Sequence, residues 1–168
     1  MKNFCLLTLS TGIGVGVVLN GQKTNNVTEI GHNVIEKDSR FANSCQGHSG
    51  CWVSQASGYG IEETLKRAGH RKIKDFYKRD IFHGIINRIK EYNAHGIGNL
   101  INAYDPEKII IMGSLGLKLF EKIIPEKDDI KQYTIIRPIP EIKPTKLGDN
   151  IGLLGAYYHA IDKLKGTI

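Results

Sequence analysis

Apolar residues and glycines alternate along the first twenty residues of the chain. Leucines precede and valines follow Gly12, Gly14 and Gly16, and Asn20-Gly21 is a strong signal for a two-residue turn. The pattern predicts two strands that meet at a glycine-lined bend and then reverse direction. A third strand is predicted over Val27–Ile35, where apolar and polar residues alternate imperfectly.

Two stretches in the middle of the chain have the apolar spacing of amphipathic helices. The first begins at Ser57 or Gly58 and is expected to end at Gly69, because glycine is the usual residue after a helix. The second runs from Asp80 to Tyr92, with Asp80 as its N-cap. Two glycines then interrupt the pattern, so Asn99–Tyr104 is predicted to be a short separate helix.

Strands and helices alternate in the C-terminal third. Lys108–Met112 contains three consecutive isoleucines, which is typical of a strand buried on both faces, and Gly113 leads into a helix that ends at Ile124. Another strand is predicted over Tyr133–Arg137, and a last helix begins after Gly148-Asp149-Asn150. The resulting order, βββ-α-α-β-α-β-α, predicts an α/β fold with a mixed sheet.

Composition places the chain among ordinary globular domains. With 168 residues, 40% of them hydrophobic and 24% charged, it can bury a core as about one domain. The apolar N-terminal run superficially resembles a signal peptide, but polar residues and glycines interrupt it and no small-residue cleavage site follows. No stretch is apolar enough to span a membrane, so we expect a cytoplasmic protein. The net charge of +6 suits anionic partners, from nucleotides to nucleic acid.

Two groups of residues offer chemistry. Cys45 and Cys51 lie close together among histidines, which indicates either a metal site or reduced thiols. Near the N-terminus, the glycines expose backbone N–H groups to which a phosphate can come close, and Thr11 adds a hydroxyl donor. A plain β-hairpin with glycines at a bulge is the alternative, and this stretch by itself favours the hairpin slightly.

Five motifs follow one another in a fixed order: Leu9–Gly16, Glu29–His32, Cys45–Gly58, Tyr104–Glu107 and Leu147–Ala156. Together they resemble the C-terminal lobe of the ROK family (repressors, open reading frames and sugar kinases), which includes glucokinases and N-acetylmannosamine kinases. The resemblance covers nearly the whole chain and implies an actin-like ATPase (ribonuclease H-like) fold. It makes residues 1–168 a single C-terminal lobe, with the N-terminal lobe absent from the chain.

The resemblance implies a nucleotide site. Leu9–Gly16 corresponds to the family's second phosphate loop, in which Thr11 and Gly12 donate hydrogen bonds to the phosphates. The turn at Gly113-Ser114 corresponds to the one beside the adenosine, although the family usually has a run of glycines there. ATP with Mg²⁺ is the expected cofactor pair, and the sequence assigns no ligand to the magnesium.

The resemblance also implies a sugar site for a hexose or N-acetylhexosamine. Glu29 and His32 match the glutamate and histidine that hold the sugar hydroxyls. They are three residues apart, and both can reach adjacent hydroxyls if the chain bends at Gly31. Family members carry a further sugar-binding glutamate where this chain has Val53, so one polar contact is lost here.

The family's structural zinc site is altered in this chain. The usual pattern is C-x-C-G-x-x-G-C, and this chain lacks the middle cysteine of that pattern over Ser44–Cys51. We expect His48 to replace the lost thiolate, since four nitrogen and sulfur ligands suit structural Zn²⁺. The alternative is a metal-free loop with two free thiols. The expected metal ligands are therefore His32, Cys45, His48 and Cys51.

The family's catalytic aspartate and first phosphate loop belong to the other lobe, so we expect no catalytic residue in this chain. One interpretation is a split sugar kinase, active only beside a separate N-terminal lobe polypeptide. A second is a non-catalytic remnant or regulatory module that binds sugar, nucleotide or zinc, and a third is a small zinc-stabilised α/β binding domain. Homo-oligomers are expected, and DNA binding is not, because the repressors' helix-turn-helix is absent here.

Overall fold

A computed structural model of the protein describes residues 1–24, 28–70, 77 and 82–165, apart from the side chain at position 149. The described residues form a five-stranded sheet and a separate two-stranded hairpin. The strands, in chain order, are β1 (Phe4–Leu9), β2 (Ile13–Leu19), β3 (Gln22–Lys23), β4 (Ser44–Cys45), β5 (His48–Ser49), β6 (Lys108–Met112) and β7 (Glu141–Pro144). The helices are α1 (Trp52–Ala56), α2 (Gly58–Arg67), α3 (His83–Tyr104), α4 (Ser114–Lys118), α5 (Phe120–Ile123), α6 (Lys127–Ile130) and α7 (Ile151–Leu164).

The sheet is mixed, as the sequence predicts, with the strand order β3-β2-β1-β6-β7. β1 is antiparallel to β2 and parallel to β6, and β6 is parallel to β7. One face of the central strands is completely buried, at Cys5, Leu7, Leu9, Ile109 and Ile111. The core of the molecule therefore lies between this face and the helices packed on it.

The third strand lies earlier than predicted. It follows the Asn20-Gly21 turn directly and comprises only Gln22–Lys23, while the predicted segment falls partly outside the described residues, at position 27. The rest of that segment contains a single 3-10 turn, Ile30–His32. The prediction was wrong because the backbone beyond this turn pairs with a loop: Ile35 N–H donates to the Gly50 carbonyl at 2.8 Å.

The central helix is continuous, which corrects the prediction of a break and of a separate helix over Asn99–Tyr104. α3 runs from His83 to Tyr104, and the predicted N-cap Asp80 lies outside the described residues. Gly96 and Gly98 lie inside this helix at close approaches to other groups. A Cβ at Gly96 would lie 2.1 Å from the Trp52 ring, and one at Gly98 would lie 2.5 Å from the Tyr133 Cβ. Tertiary packing thus outweighs the low helix propensity of glycine.

The last strand lies later than predicted. Tyr133–Arg137 was expected to be a strand, but a 3-10 turn occupies Lys131–Tyr133 and the strand β7 begins only at Glu141. The Asn102 side chain of α3 bonds two backbone groups of this segment: it donates to the Tyr133 carbonyl at 2.9 Å and accepts from the Ile135 N–H at 3.3 Å. Because these backbone groups bond to a helix side chain, they are not available to a sheet ladder.

The last two helical predictions differ in outcome. The helix after Gly113 ends near Ile124 as expected, but it is divided at Leu119 into α4 and α5. α7 forms where predicted, and none of its residues is buried. Within the described ranges, no helix combines the length and apolar character needed to cross a membrane.

Candidate functional site

Four potential metal ligands from three local structures meet at one point. His32 comes from the 3-10 turn, Cys45 and His48 from the β4–β5 hairpin, and Cys51 from the N-cap position of α1. Their ligand atoms all lie within 4.8 Å of one another. The Nδ1 atom of His32 lies 3.5 Å from the Cys45 sulfur and 3.9 Å from the Cys51 sulfur. These are the four residues that the sequence selected.

Two glycines shape the hairpin that supplies half of this cluster. Cys45 and His48 are directly paired across the two strands, and Gly47 makes the tight turn between them with a φ of +79°. Gly50, with a φ of +74°, follows the hairpin where a Cβ would lie only 1.9 Å from the Glu36 carbonyl oxygen. Glycine is the residue that adopts such backbone angles without strain.

The ring of His48 is oriented for coordination. Its Nδ1 lies 3.2 Å from the Gln46 carbonyl oxygen, which only accepts, so Nδ1 carries the proton in this hydrogen bond. In the neutral imidazole, Nε2 is then the acceptor nitrogen, and it is buried without a hydrogen-bond partner among the described residues. A buried acceptor without a partner is costly, and a metal ion at the cluster would remove that cost.

The thiols favour the same interpretation. Burial raises the pKa of the Cys45 thiol, and its hydrogen bond with Cys51 raises that pKa further. A bound cation reverses this tendency, because a coordinating thiol loses its proton. Two sulfur and two imidazole nitrogen donors are a set that structural Zn²⁺ takes, and here the ligand atoms lie within 4.8 Å of one another. The residues present therefore suit a zinc ion.

Glu29 lies at the edge of this cluster. Its carboxylate is 3.9 Å from Nε2 of His32, and its side chain is 66% exposed. Glu29 also borders an open cavity of about 530 Å³ on the outer face of the sheet, together with Phe4 and Leu6. The lining of that cavity does not include His32.

The turn that carries Glu29 and His32 packs directly against the glycine stretch. Gly31 lies so close to it that a Cβ would be 2.6 Å from the Ile13 carbonyl oxygen and 2.9 Å from a Val53 methyl group. Ile13 is the residue that follows Gly12, so the predicted sugar-binding turn adjoins the predicted phosphate loop. The apolar Val53 side chain lies against the same turn.

Within the predicted phosphate loop, Leu9–Gly16, the bend Ser10–Gly12 is open to solvent at Thr11 and Gly12. A Cβ at Gly12 would meet no atom within 4 Å, so the space above this residue is free. The loop is held from behind by α2, because Gly58 N–H donates to the Ser10 carbonyl at 2.7 Å. Tyr59 N–H donates in the same way to the Thr11 carbonyl at 3.1 Å.

The predicted adenosine turn lies beside this loop. β1 and β6 are parallel, so the segments that follow them lie at the same edge of the sheet. The Ser114 hydroxyl is 3.3 Å from the Ser10 hydroxyl. Gly113 has a φ of +89°, and a Cβ there would lie 2.5 Å from the Leu9 carbonyl oxygen. A glycine is thus required at this position by close packing against β1.

The sequence did not identify the residues that hold the loop. Gly58 was assigned to the end of the Cys45–Gly58 motif and the start of a helix, and Ser10 to the Leu9–Gly16 stretch, with no contact expected between them. The available signal was a glycine at the first helical position, where proline is the over-represented residue. Its meaning depends on Ser10, which is distant in sequence and adjacent only in the fold.

Comparison with known proteins identifies the family of the chain. The model of the ROK family matches residues 1–163. The chain therefore belongs to the ROK family, and its mixed α/β fold is that of the family's sugar kinases.

Named relatives of the chain include sugar kinases. It is 33% identical to a glucokinase of Pyrobaculum calidifontis, over 93% of this chain and 56% of that protein. It is 29% identical to an N-acetylmannosamine kinase of Haemophilus influenzae, over 100% of this chain and 59% of that protein. The crystal structure of a ROK hexokinase from Thermus thermophilus superposes with a TM-score of 0.81 at 25% identity, over 98% of this chain and 59% of that one. The chain thus spans a little more than half the length of these relatives.

Proposed function

We propose that this chain is the sugar- and nucleotide-binding C-terminal lobe of an ATP-dependent hexose kinase of the glucose or N-acetylmannosamine type. The observation that supports this most is the packing of Gly31 against Ile13. It brings the turn of Glu29 and His32 next to the loop of Thr11 and Gly12. A sugar hydroxyl and a nucleotide phosphate could then lie near one another, as phosphoryl transfer requires.

In this proposal the nucleotide site and the sugar site use different residues. The Thr11 hydroxyl and the Thr11 and Gly12 backbone N–H groups donate to the phosphates, while Gly113 and Ser114 lie beside the adenosine. Glu29 accepts hydrogen bonds from sugar hydroxyls, and His32 is fixed by its position in the metal cluster. Zn²⁺ is structural, held by His32, Cys45, His48 and Cys51, and Mg²⁺ enters with ATP.

The proposal includes a second lobe, supplied outside these 168 residues, that carries the catalytic aspartate. Two observations support it. The relatives are longer than the matched region by about two-fifths of their length. In addition, three large apolar residues of α7 are exposed to solvent: Leu153 is 72% exposed, Tyr157 58% and Tyr158 61%. An apolar helix surface of this kind is typical of a helix that packs on a partner.

Reconstitution tests this function. The chain is purified with and without a co-expressed polypeptide that carries the first lobe, and ATP-dependent phosphorylation of glucose and N-acetylmannosamine is measured. We expect activity only when both polypeptides are present.

Glu29→Ala should abolish this activity while ATP binding is retained, because the proposal has this carboxylate accept hydrogen bonds from the sugar hydroxyls. Glu62→Ala is the matched control, since Glu62 forms an ion pair with Lys66 on α2 and has no place in the proposed sugar or nucleotide site. Unchanged activity in Glu29→Ala, or no binding of any hexose, would contradict the proposal.

Metal analysis tests the zinc centre independently. Purified protein should contain about one Zn²⁺ per chain, the stoichiometry of one tetrahedral site. His48→Ala should lower this content, because it removes the ligand that replaces the missing cysteine. His159→Ala, on the exposed α7, should leave the content unchanged. A well-folded, metal-free wild-type protein would exclude the zinc site.

A further inference from the structure

The Ser10–Gly12 loop is bonded through its own carbonyl oxygens. Ser10 N–H donates to the Gly12 carbonyl at 2.9 Å, which closes the loop on itself. The Ser10 and Thr11 carbonyls accept from Gly58 and Tyr59 at 2.7 and 3.1 Å. All three carbonyl oxygens of the loop are therefore occupied. Within the described residues, no hydrogen bond uses the Thr11 or Gly12 N–H, so the exposed side of the loop presents donors to solvent.

This arrangement has an electrostatic consequence. Carbonyl oxygens repel an anion, while unpaired backbone N–H groups attract it. The first backbone N–H groups of a helix often bind an anion. In α2 these groups instead donate to the carbonyl oxygens of the loop. α2 therefore turns the loop oxygens inward and leaves the Thr11 and Gly12 N–H groups facing outward. Gly58 permits this close contact: a Cβ at this position would lie 3.0 Å from the Ser10 oxygen and 3.3 Å from the Thr11 Cα, so the loop would have to move by a few tenths of an ångström.

The metal cluster is connected to the loop by two short routes. On the first, the ligand His32 adjoins Gly31, which packs against the Ile13 carbonyl at the end of the loop. On the second, the ligand Cys51 caps α1, with its sulfur accepting from Ser54 N–H at 3.4 Å. α1 leads directly into Ser57, which caps α2 by accepting from Gly60 N–H at 3.2 Å.

We propose that Gly31 and Gly58 are positioning residues through which the metal centre holds the Ser10–Gly12 loop in its anion-binding form. The inference rests on the proposed function in two respects: the cluster of His32, Cys45, His48 and Cys51 holds a metal ion, and the anion is the phosphate chain of a nucleotide. The metal has its effect through the two glycine contacts, at a distance from the nucleotide. The loop geometry is thus a property of the metal-bound form of the protein.

Gly58→Ala tests the α2 contact in zinc-loaded protein. We expect displaced amide NMR signals for Thr11 and Gly12, and ATP·Mg²⁺ binding weakened by about ten-fold, the effect of losing one or two hydrogen bonds. The cobalt-substituted protein should keep its thiolate absorption, because no ligand is changed. Gly84→Ala is the matched control: it also lies in the first turn of a helix, and its Cβ would meet no atom within 4 Å. It should leave all three measurements unchanged.

Loss of a ligand tests the role of the metal. His48 lies on neither route, so His48→Ala should release the metal and abolish hydrogen-exchange protection at the Gly58 and Tyr59 amides. The amide of Ile109, in the buried strand β6, should stay protected as an internal reference. Retained protection at Gly58 and Tyr59 after metal loss would overturn the proposal. Loss of protection at Ile109 would also overturn it, since the metal would then hold the whole fold rather than this loop.

The outcomes separate this inference from the proposed function. If wild-type protein binds no ATP but Gly58→Ala still displaces the Thr11 and Gly12 signals, the proposed function fails and the positioning role stands. If Gly58→Ala is folded and leaves both the loop signals and the ATP affinity unchanged, the positioning role is wrong.

Discussion

Two helices of this protein, α3 and α7, are similar in sequence character and opposite in environment. α3 buries ten of its 22 residues, whereas α7 buries none of its 14. α3 contains three glycines and α7 contains two. Gly96 and Gly98 of α3 lie against Trp52 and Tyr133, whereas in α7 a Cβ at Gly152 or Gly155 would meet no atom within 4 Å. An apolar helical pattern thus predicts the helix, but not whether this chain supplies its partner.

Gly96→Ala should have the largest effect. Its new methyl group would overlap the rigid Trp52 ring, and Trp52 is itself almost completely buried, so neither side can move easily. We expect a loss of about 3 kcal/mol in the free energy of unfolding, the upper range for overpacking a core. Urea unfolding measures this loss. Gly155→Ala, in the middle of α7, is the control and should be neutral or stabilising, by up to about 1 kcal/mol from helix propensity. Equal effects at the two sites would mean that α7 is packed.

Asn93→Ala should be the next most damaging change. The Asn93 side chain is fully buried in α3, accepts from the Trp52 indole N–H at 2.8 Å and donates to the Ile123 carbonyl at 2.9 Å. Its removal leaves two buried polar groups without partners, which costs about 1–3 kcal/mol. The midpoint of thermal unfolding checks this. Lys163→Ala, in the last turn of α7, should leave the midpoint nearly unchanged. A similar loss in both variants would contradict the account.

Glu141, on the strand that leads toward α7, should give a smaller effect that depends on pH. Its hydrogen bonds with Lys108 and Lys143 lower the pKa of its carboxyl from 4.5 to about 2. Because the pKa is lower in the folded state, the stabilisation is complete above pH 4.5 and is lost as the pH falls toward 2. Glu141→Gln should therefore reduce stability at pH 6 and have little effect near pH 2. Urea midpoints at both pH values measure this. The effect is modest, since the pair is exposed to solvent.

Replacement of Tyr157 and Tyr158 by serine should have the smallest effect on stability. Both residues are more than half exposed, and their ring centroids lie 5.4 Å apart. We expect a change within about 0.5 kcal/mol in the unfolding of the chain alone. The same variant should weaken association with the second lobe, measured by analytical ultracentrifugation of the co-expressed polypeptides. A large loss of stability in the chain alone would show that α7 packs on this domain.

The local features of the site were predictable from sequence. A short-range pattern marks each of them: glycines in alternate positions, a two-residue turn, and cysteines and histidines at close spacing. The structure brings His32, Cys45, His48 and Cys51 together as expected. The third and last strands were misplaced, because the partners of their backbone groups lie elsewhere in the chain. Ile35 N–H pairs with the Gly50 carbonyl, and Asn102 bonds the Tyr133 carbonyl and the Ile135 N–H.

The sequence by itself determined the mixed α/β class, the candidate ligands Cys45, His48 and Cys51 and the glycine loop, because turn angles and ligand chemistry depend on the residues in one short segment. Only the tertiary structure decided that Gly96 continues a helix, that Gly31 packs against the end of the loop and that Gly58 donates to the Ser10 oxygen. A glycine in a sequence shows only that a side chain is missing. The atom that occupies the vacated space comes from a distant segment, and only folding brings it there.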